Sequence, residues 1–581
     1  MHILERADLS ISSPVYLTDA GSGIAEAPGD STSTSLAAAI DGDSLVASQT
    51  DVTGDTTPSP QNRPIPRPRI LSNTLGLDLN THAEYVGLTD CLEPVLLDLH
   101  RPEGTASSHI ATASSRHTFA RRLDHRTSFL VHSDGLTASD TQRVVDLDLI
   151  EDAVRPLGRA LVDLYFRVVH PSFPILHKGV FISKHRSSHR HFAPSLLAAV
   201  YLVALDWHLY DSSLAGYETE VLPDIATLEK LADRTIAQDM RRPKLSTLEA
   251  GLLLLQRHRS KTDGSSCAHG SSSRTFTAQL VAMAQDLGIH IDCSSWNIPP
   301  WEIGLRRRLG WALYMQDRWG ACAHGRPFLI HHNDWDVKMC SNSDYPELEE
   351  AVNRWSDSDS NIATGWEIFL KHVELTRIMS EVHETFYSGA ATRAGGTWDR
   401  EGILAAVDMA KPLILRLREW YENLPRHLHM EAIKSRGLCA NGAIHLAYMS
   451  VEVTLYRALV RNITPDTPAD LHQSLRSAAR RKVQDVVSLM ESLRPEHTAA
   501  FWGSAASYQA AEGGSLAGLL WATADSAEEM SWCSAQIEDL RWALRVRGAA
   551  AAFAREALHL IERDVGGLGI VKMNTEYGER C

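Results

Sequence analysis

The residues whose types and spacing could do chemistry are few, and each sits in a poor setting for it. His331, His332 and Asp336, in the run HHNDWD, match an H-H-x-x-x-D spacing. In acyl-transfer enzymes with that pattern the second imidazole takes a proton while the aspartate holds structure. Those sites need a glycine after the aspartate, and Val337 stands there. His185, His189 and His191, in KHRSSHRH, contain an i, i+4 pair that one helix face could offer to a metal. Lys184, Arg186 and Arg190 crowd the same stretch and oppose a divalent cation, so it reads as a solvated basic loop. Gly513 to Ala517 (GGSLA) misses the G-x-S-x-G nucleophile elbow and has no strand before it. Neither a P-loop nor a G-x-G-x-x-G occurs. Eight cysteines are scattered, the closest pair (Cys322 and Cys340) lying 18 residues apart, and there is no C-x-x-C. That scatter predicts reduced, mostly buried thiols. The expectation is no enzyme, no catalytic residue, no metal ligand and no cofactor, with a helical enzyme using His331 or His332 as the remote alternative.

The charge balance excludes another class. The 581 residues carry 57 Lys plus Arg against 72 Asp plus Glu, a formal charge of −15. Affinity for phosphate backbones comes from counterion release by Lys and Arg, so DNA binding would need a local basic module. Two of the longest uncharged runs, Phe192 to Leu205 and Gly437 to Val451, have 14 and 15 residues. A membrane span needs about 18–20, so these read as buried helices.

The elements that must position these side chains are helical. Leu157, Leu161, Leu164 and Tyr165 form one apolar stripe. Pro194 opens a helix through LLAAVYLVALDWHLY that is apolar all round and therefore interior. Thr247 to Gln256 and a segment from Thr275 follow. Pro299 and Pro300 precede a long helix, Glu302 to Ala323. Its stripe runs Leu305, Leu309, Leu313, Gln316 and Gly320, with Gly325 placed as a left-handed cap. Arg306, Arg307 and Arg308 point about 100° apart on that helix. One is expected to pair with Glu302 and another with an acid on a neighbouring helix. A second block comprises Ile403 to Tyr421 with a kink at Pro412, Ala443 to Arg461, Leu471 to Leu493, Ala510 to Ala522, and Ser526 to Arg563 broken near Gly548. No run of alternating strands stands out. The fold class is all-α, a large irregular domain of roughly twelve helices.

Three stretches resemble a known family. They are LVDLYFRVVHPSFPILHKGVF (Leu161 to Phe181), RRPKLSTLEAGLLLLQR (Arg241 to Arg257) and the long run from Leu287 to Ile330, which contains RRRL-x-W-x-L-Y-x-x-D-R and GRP. The chain is similar here to the middle homology region, or xylanolytic-activator regulatory domain, of fungal binuclear zinc-cluster transcription factors. NTHAEYVGLTDCLEPVLLDL (Asn80 to Leu99) and LRPEHTAAFW (Leu493 to Trp502) resemble the TamA-type nitrogen-regulation subgroup. Members usually carry Trp where Gly310 stands. The motif residues are His170, Pro171, Phe173, Pro174, Arg307, Arg308, Trp311, Asp317, Arg318, Gly325, Arg326 and Pro327, all read as structural. Arg326 is expected to satisfy helix-end carbonyls or an acid, and Asp317 to accept from Arg or a backbone amide.

The resemblance implies a nuclear regulator of RNA polymerase II transcription. Such proteins begin with a six-cysteine cluster holding two zinc ions. No such spacing occurs here, so zinc is expected only if an upstream module carries it. DNA contact would run through that module or a partner, namely another transcription factor or a coactivator. A small-molecule inducer is a further expected partner; a membrane is not. The same fold could instead serve a coactivator or repressor scaffold that never touches DNA. The expected organisation is an acidic Ser/Thr-rich disordered tail (1–62), a linker with a subgroup-specific segment (63–150) and the regulatory domain (151–345). A variable loop region (346–400), a C-terminal helical part (401–565) and a tail (566–581) complete it.

Overall fold

A computed structural model describes residues 71–92, 107–109, 118–134, 138–208, 214, 223–257, 269–348, 357–433 and 437–564. The expected N-terminal tail, the RPIPRPR linker and the C-terminal tail lie outside the described residues. Among those residues the body is built from seventeen α-helices, more than the twelve read from the sequence. The difference lies in short helices such as Gly389–Thr392 and Pro495–Thr498, and in polar ones such as Ala138–Val154 whose apolar stripe is thin.

The first block is organised around Pro194–Leu205, in which every residue is buried. Proline at the helix start costs no hydrogen bond, because first-turn amides have no helical partner. Around it pack Gly158–Val168, Ile225–Asp239 and Leu245–Leu255. Asp224 caps the second of these by accepting from the Ala226 and Thr227 amides. The long helix runs Pro300–His324 and stops at Gly325, whose φ of 59° is the left-handed cap its sequence predicts.

The second block packs Asn441–Arg461, Ala469–Ser492, Ala506–Ala522, Ala527–Gly548 and Ala552–Asp564 against one another. The expected break near Gly548 separates the last two. Asp357–Tyr387, 31 residues long, joins the blocks by packing on both Pro300–His324 and Asn441–Arg461. It occupies most of the 346–400 stretch expected to be loop, which is a correction. Polar ends hid it, while Trp366, Phe369, Val373 and Phe386 bury one side in helical register. The expected kink at Pro412 also moves: Thr397–Glu422 runs through that proline and breaks at Gly402, where φ is 73°.

One element was missed outright. A four-stranded antiparallel sheet, in the order β1–β4–β3–β2, is formed by β1 (Thr81–Tyr85), β2 (Ser107–His109), β3 (Thr118–Arg122) and β4 (Ser128–Ser133). Its strands are three to six residues long and carry His and Arg at half-buried positions, so period-two alternation is faint. Ala83, Phe129 and Val131 pack with Trp296 and Ile298 in a small core of their own.

Candidate functional site

The strongest motif, RRRL, lies early in the long helix, and its three guanidinium groups reach three different walls. Arg306 donates from Nε to Glu302 (2.9 Å), from Nη1 to the Leu287 carbonyl (2.9 Å) and from Nη2 to the Leu75 carbonyl (2.7 Å). Glu302 in turn accepts from the Leu75 amide at 3.0 Å. Burial raises the Glu302 carboxyl, and the Arg306 charge works against that rise. Arg307 pairs with Asp344 at 2.7 Å, on a 3-10 turn rather than a neighbouring helix. Arg308 donates to the carbonyls of Pro174 (2.6 Å) and Leu176 (3.2 Å).

About two and a half turns beyond Arg308, Asp317 accepts from the Leu329 and Ile330 amides at 2.9 and 3.0 Å and from Arg318 at 2.6 Å. Arg318 donates to the Ile330 carbonyl and to Ser380, its Cζ lying 4.3 Å from the Tyr314 ring centroid and 4.0 Å from that of Phe328. These two residues pin the GRPFLI segment to the helix. Arg326 satisfies helix-end carbonyls chiefly through its main chain: its amide donates to the Ala321 carbonyl at 2.9 Å, while its exposed side chain reaches the Gly325 carbonyl at 3.5 Å. Pro327 offers its carbonyl to Arg274, and Trp311 donates from Nε1 to the Lys338 carbonyl at 2.9 Å.

The HPSFP segment closes the frame. His170 is buried among Tyr165, Phe166 and Tyr345, and neither ring nitrogen has a hydrogen-bond partner. Desolvation drops its pKa to about 3, so the Glu347 carboxylate 3.9 Å away faces a neutral ring at neutral pH. Pro171 abuts Gly365 of the long connecting helix, and Phe173 stacks on Phe501 at 5.9 Å.

The histidine-rich candidates lie elsewhere. His331, His332 and Asp336 are exposed; the two imidazoles stack at 5.1 Å, and no hydrogen bond joins either to Asp336. KHRSSHRH is helical rather than a solvated loop: Lys178–Ser187 covers its first half. His189 and Arg190 both bind Asp148, while His185 approaches Tyr201 at 3.3 Å, so the two imidazoles serve separate partners. GGSLA lies inside Ala506–Ala522. Among the described residues no three His, Cys, Asp or Glu side chains are placed to hold a metal ion. The six described cysteines are unpaired thiols dispersed over the body, a donor set that does not fit a binuclear zinc cluster.

Sequence reasoning missed the cavity. A space of about 490 Å³ lies between the two helical blocks, with Phe173, Phe276, Met315, Trp319, Phe369 and Phe501 in its wall. Its polar lining includes four groups. Gln256 donates from Nε2 to Gln316 Oε1 (2.9 Å) and accepts from the Ser504 amide of the second block (3.1 Å). Gln316, His372 and Gln509 line the same space. Burial lowers the His372 pKa to about 4. Of the charged groups at the wall, Arg257 pairs with Glu229 at 2.5 Å, and Asp233 and Glu556 have partners of their own. The available signal was Gln316, a carboxamide set on an otherwise apolar stripe with Gly320 one turn on. Only Phe173 of the motif residues reaches the cavity.

Residues 162–394 match the family described as "Fungal specific transcription factor domain". The chain is 30% identical to Transcriptional activator protein DAL81 of Saccharomyces cerevisiae over 484 residues, covering 77% of this chain and 48% of that protein. It is 26% identical to Cutinase transcription factor 1 alpha of Fusarium vanettenii, over 52% of this chain and 31% of that protein. It is 25% identical to the Acetamidase regulatory protein of Aspergillus fumigatus, over 55% and 37%. The chain thus spans about half the length of these relatives or less. No solved structure matches.

Proposed function

We propose, from the premise that this chain carries the fungal specific transcription factor domain of zinc-cluster regulators, that it is the regulatory body of a fungal regulator of RNA polymerase II transcription. In that role it works in the nucleus and catalyses nothing. It acts through other transcription factors or coactivators, and it responds to a small-molecule inducer. The observation that carries this reading is where the motif's charges go. Arg306, Arg307, Arg308, Asp317 and Arg318 bind carbonyls, amides and acids inside the body. None is turned outward to a phosphate backbone or a substrate, so the motif builds a frame rather than a reactive centre.

Its target genes belong to nitrogen or secondary metabolism, and one relative is named as an acetamidase regulatory protein. Dispersed cysteines and a −15 charge support DNA contact through a partner or a further module, which keeps a coactivator or repressor scaffold as the second reading. The test tethers the full chain to a heterologous DNA-binding domain upstream of a reporter in a fungal host. Reporter output should differ from that of the DNA-binding domain alone and should change with nitrogen source. Output identical to the control in every medium overturns the reading.

A further inference from the structure

We propose that the cavity between the two helical blocks is a binding site for an uncharged organic molecule with a ring-bearing apolar body and an amide-like head. The inference deepens the reading of this body as inducer-responsive and rests on it, but binding can be measured on its own.

Size comes first. Protein interiors are close-packed, with few voids larger than a water molecule. A space of about 490 Å³ is well beyond that and inside the range of roughly 300–1,000 Å³ that holds small organic ligands.

Chemistry comes second. The wall is largely aromatic and thioether: Phe276, Trp319, Phe369 and Met315 suit a ring. Against this stand the polar side chains of Gln316, His372 and Gln509, which line the same space. Gln509 is only 6% exposed, so its amide is held away from bulk solvent. A few polar side chains set in an otherwise apolar wall are what fixes the orientation of a small organic ligand. A carboxamide head supplies both roles at once, a carbonyl for Gln316 and N–H groups for the acceptors of Gln509 and His372.

Charge comes third. Arg257 is already paired with Glu229, and Asp233 and Glu556 have partners. His372 is neutral at physiological pH because burial disfavours its imidazolium. A charged head would lose its hydration there and find no free counter-charge. The site also spans the seam between the blocks, since Gln256 ties Gln316 on one side to the Ser504 amide on the other. An occupant therefore bears on how the two blocks meet.

The test uses the purified full chain with two probes of matched size, naphthalene-2-carboxamide and naphthalene-2-carboxylate, titrated at pH 7 by calorimetry and by fluorescence of the protein's tryptophans. The carboxamide should bind saturably and raise the unfolding temperature, and the carboxylate should bind at least about tenfold more weakly. Q509L should weaken the carboxamide by about tenfold while leaving the unfolding temperature of the free protein in place. Gly320→Leu fills the cavity from a helix position where a Cβ meets nothing closer than Gln316 Nε2 at 4.0 Å. That variant should abolish probe binding without loss of fold. Equal binding of both probes, or undiminished binding by Gly320→Leu, overturns the proposal, as does absence of carboxamide binding. A bound probe with an unresponsive tethered reporter would instead overturn the regulatory reading and leave the site standing.

Discussion

A Cβ built on Gly365 would stand 2.5 Å from both the carbon and the oxygen of the Pro171 carbonyl. The connecting helix Asp357–Tyr387 therefore lies against the His170–Pro174 loop at backbone distance, and only glycine allows it. Gly365→Ala should destabilise the chain by about 1–3 kcal/mol, because the clash is with backbone and not with a side chain that can swing away. Alanine's better helix propensity, worth about 1 kcal/mol, is outweighed. Gly320→Ala is the control: its Cβ position is open, so the same change should stabilise by up to about 1 kcal/mol. Chemical denaturation of both variants reads the opposite signs; two stabilised variants would refute the close approach.

Asp317 and Arg326 sit nine residues apart in one motif and should behave oppositely. Asp317→Asn removes the carboxylate that holds Arg318 and two amides in a buried setting. Leaving that guanidinium without its counter-charge should cost about 3–5 kcal/mol. Arg326→Ala changes only an exposed side chain and should stay within about 0.5 kcal/mol. Thermal unfolding of the two variants side by side checks the contrast.

His170 supplies a pH signature. Its pKa falls to about 3 in the folded chain, chiefly by desolvation, with Glu347 opposing and Arg308, Lys178 and His177 assisting. In the unfolded chain it titrates near 6.5. The unfolded state thus binds more protons in this window. The contribution of His170 is complete above about pH 6.5 and is lost as pH falls toward 3. Between pH 7 and pH 5 the wild type should lose about 2 kcal/mol relative to His170→Gln, measured as the change in their stability difference. A difference constant with pH would show that the ring is not held neutral.

The long elements were legible because their signals are local. Pro300, the leucine stripe and Gly325 mark the start, face and end of one helix, and the structure ends it at Gly325 as expected. The pairing of Arg306 with Glu302 followed from i, i+4 spacing alone. The sheet was not legible, since its strands are short and their partners lie up to 52 residues apart in the chain, as Thr81 and Ser133 do. The cavity was hidden for a related reason. Gln256, Gln316, His372 and Gln509 come from four separate helices or helix ends, and each reads in sequence as an ordinary polar residue. Only Gln316, on an apolar stripe, broke a local rule.

Glu302 and Arg306 form a buried pair whose main work is on backbone rather than on each other. Glu302 satisfies the Leu75 amide, and Arg306 satisfies the carbonyls of Leu75 and Leu287. Arg121 adds to the same segment by donating to the Thr74 and Asn73 carbonyls at 2.8 Å each. Glu302→Gln should cost about 3–5 kcal/mol, as breaking a buried pair does. Many buried pairs can be replaced by two apolar residues with little loss, but here Glu302→Leu with Arg306→Met would orphan one amide and two carbonyls. Each orphan costs about 1–3 kcal/mol, so the double variant should recover little of the single variant's loss. Hydrogen exchange at the Leu75 amide should quicken in both variants, because its acceptor is gone in one and weakened in the other. A double variant as stable as wild type, with the Leu75 amide still protected, would mean that the segment is held by apolar packing and not by this pair.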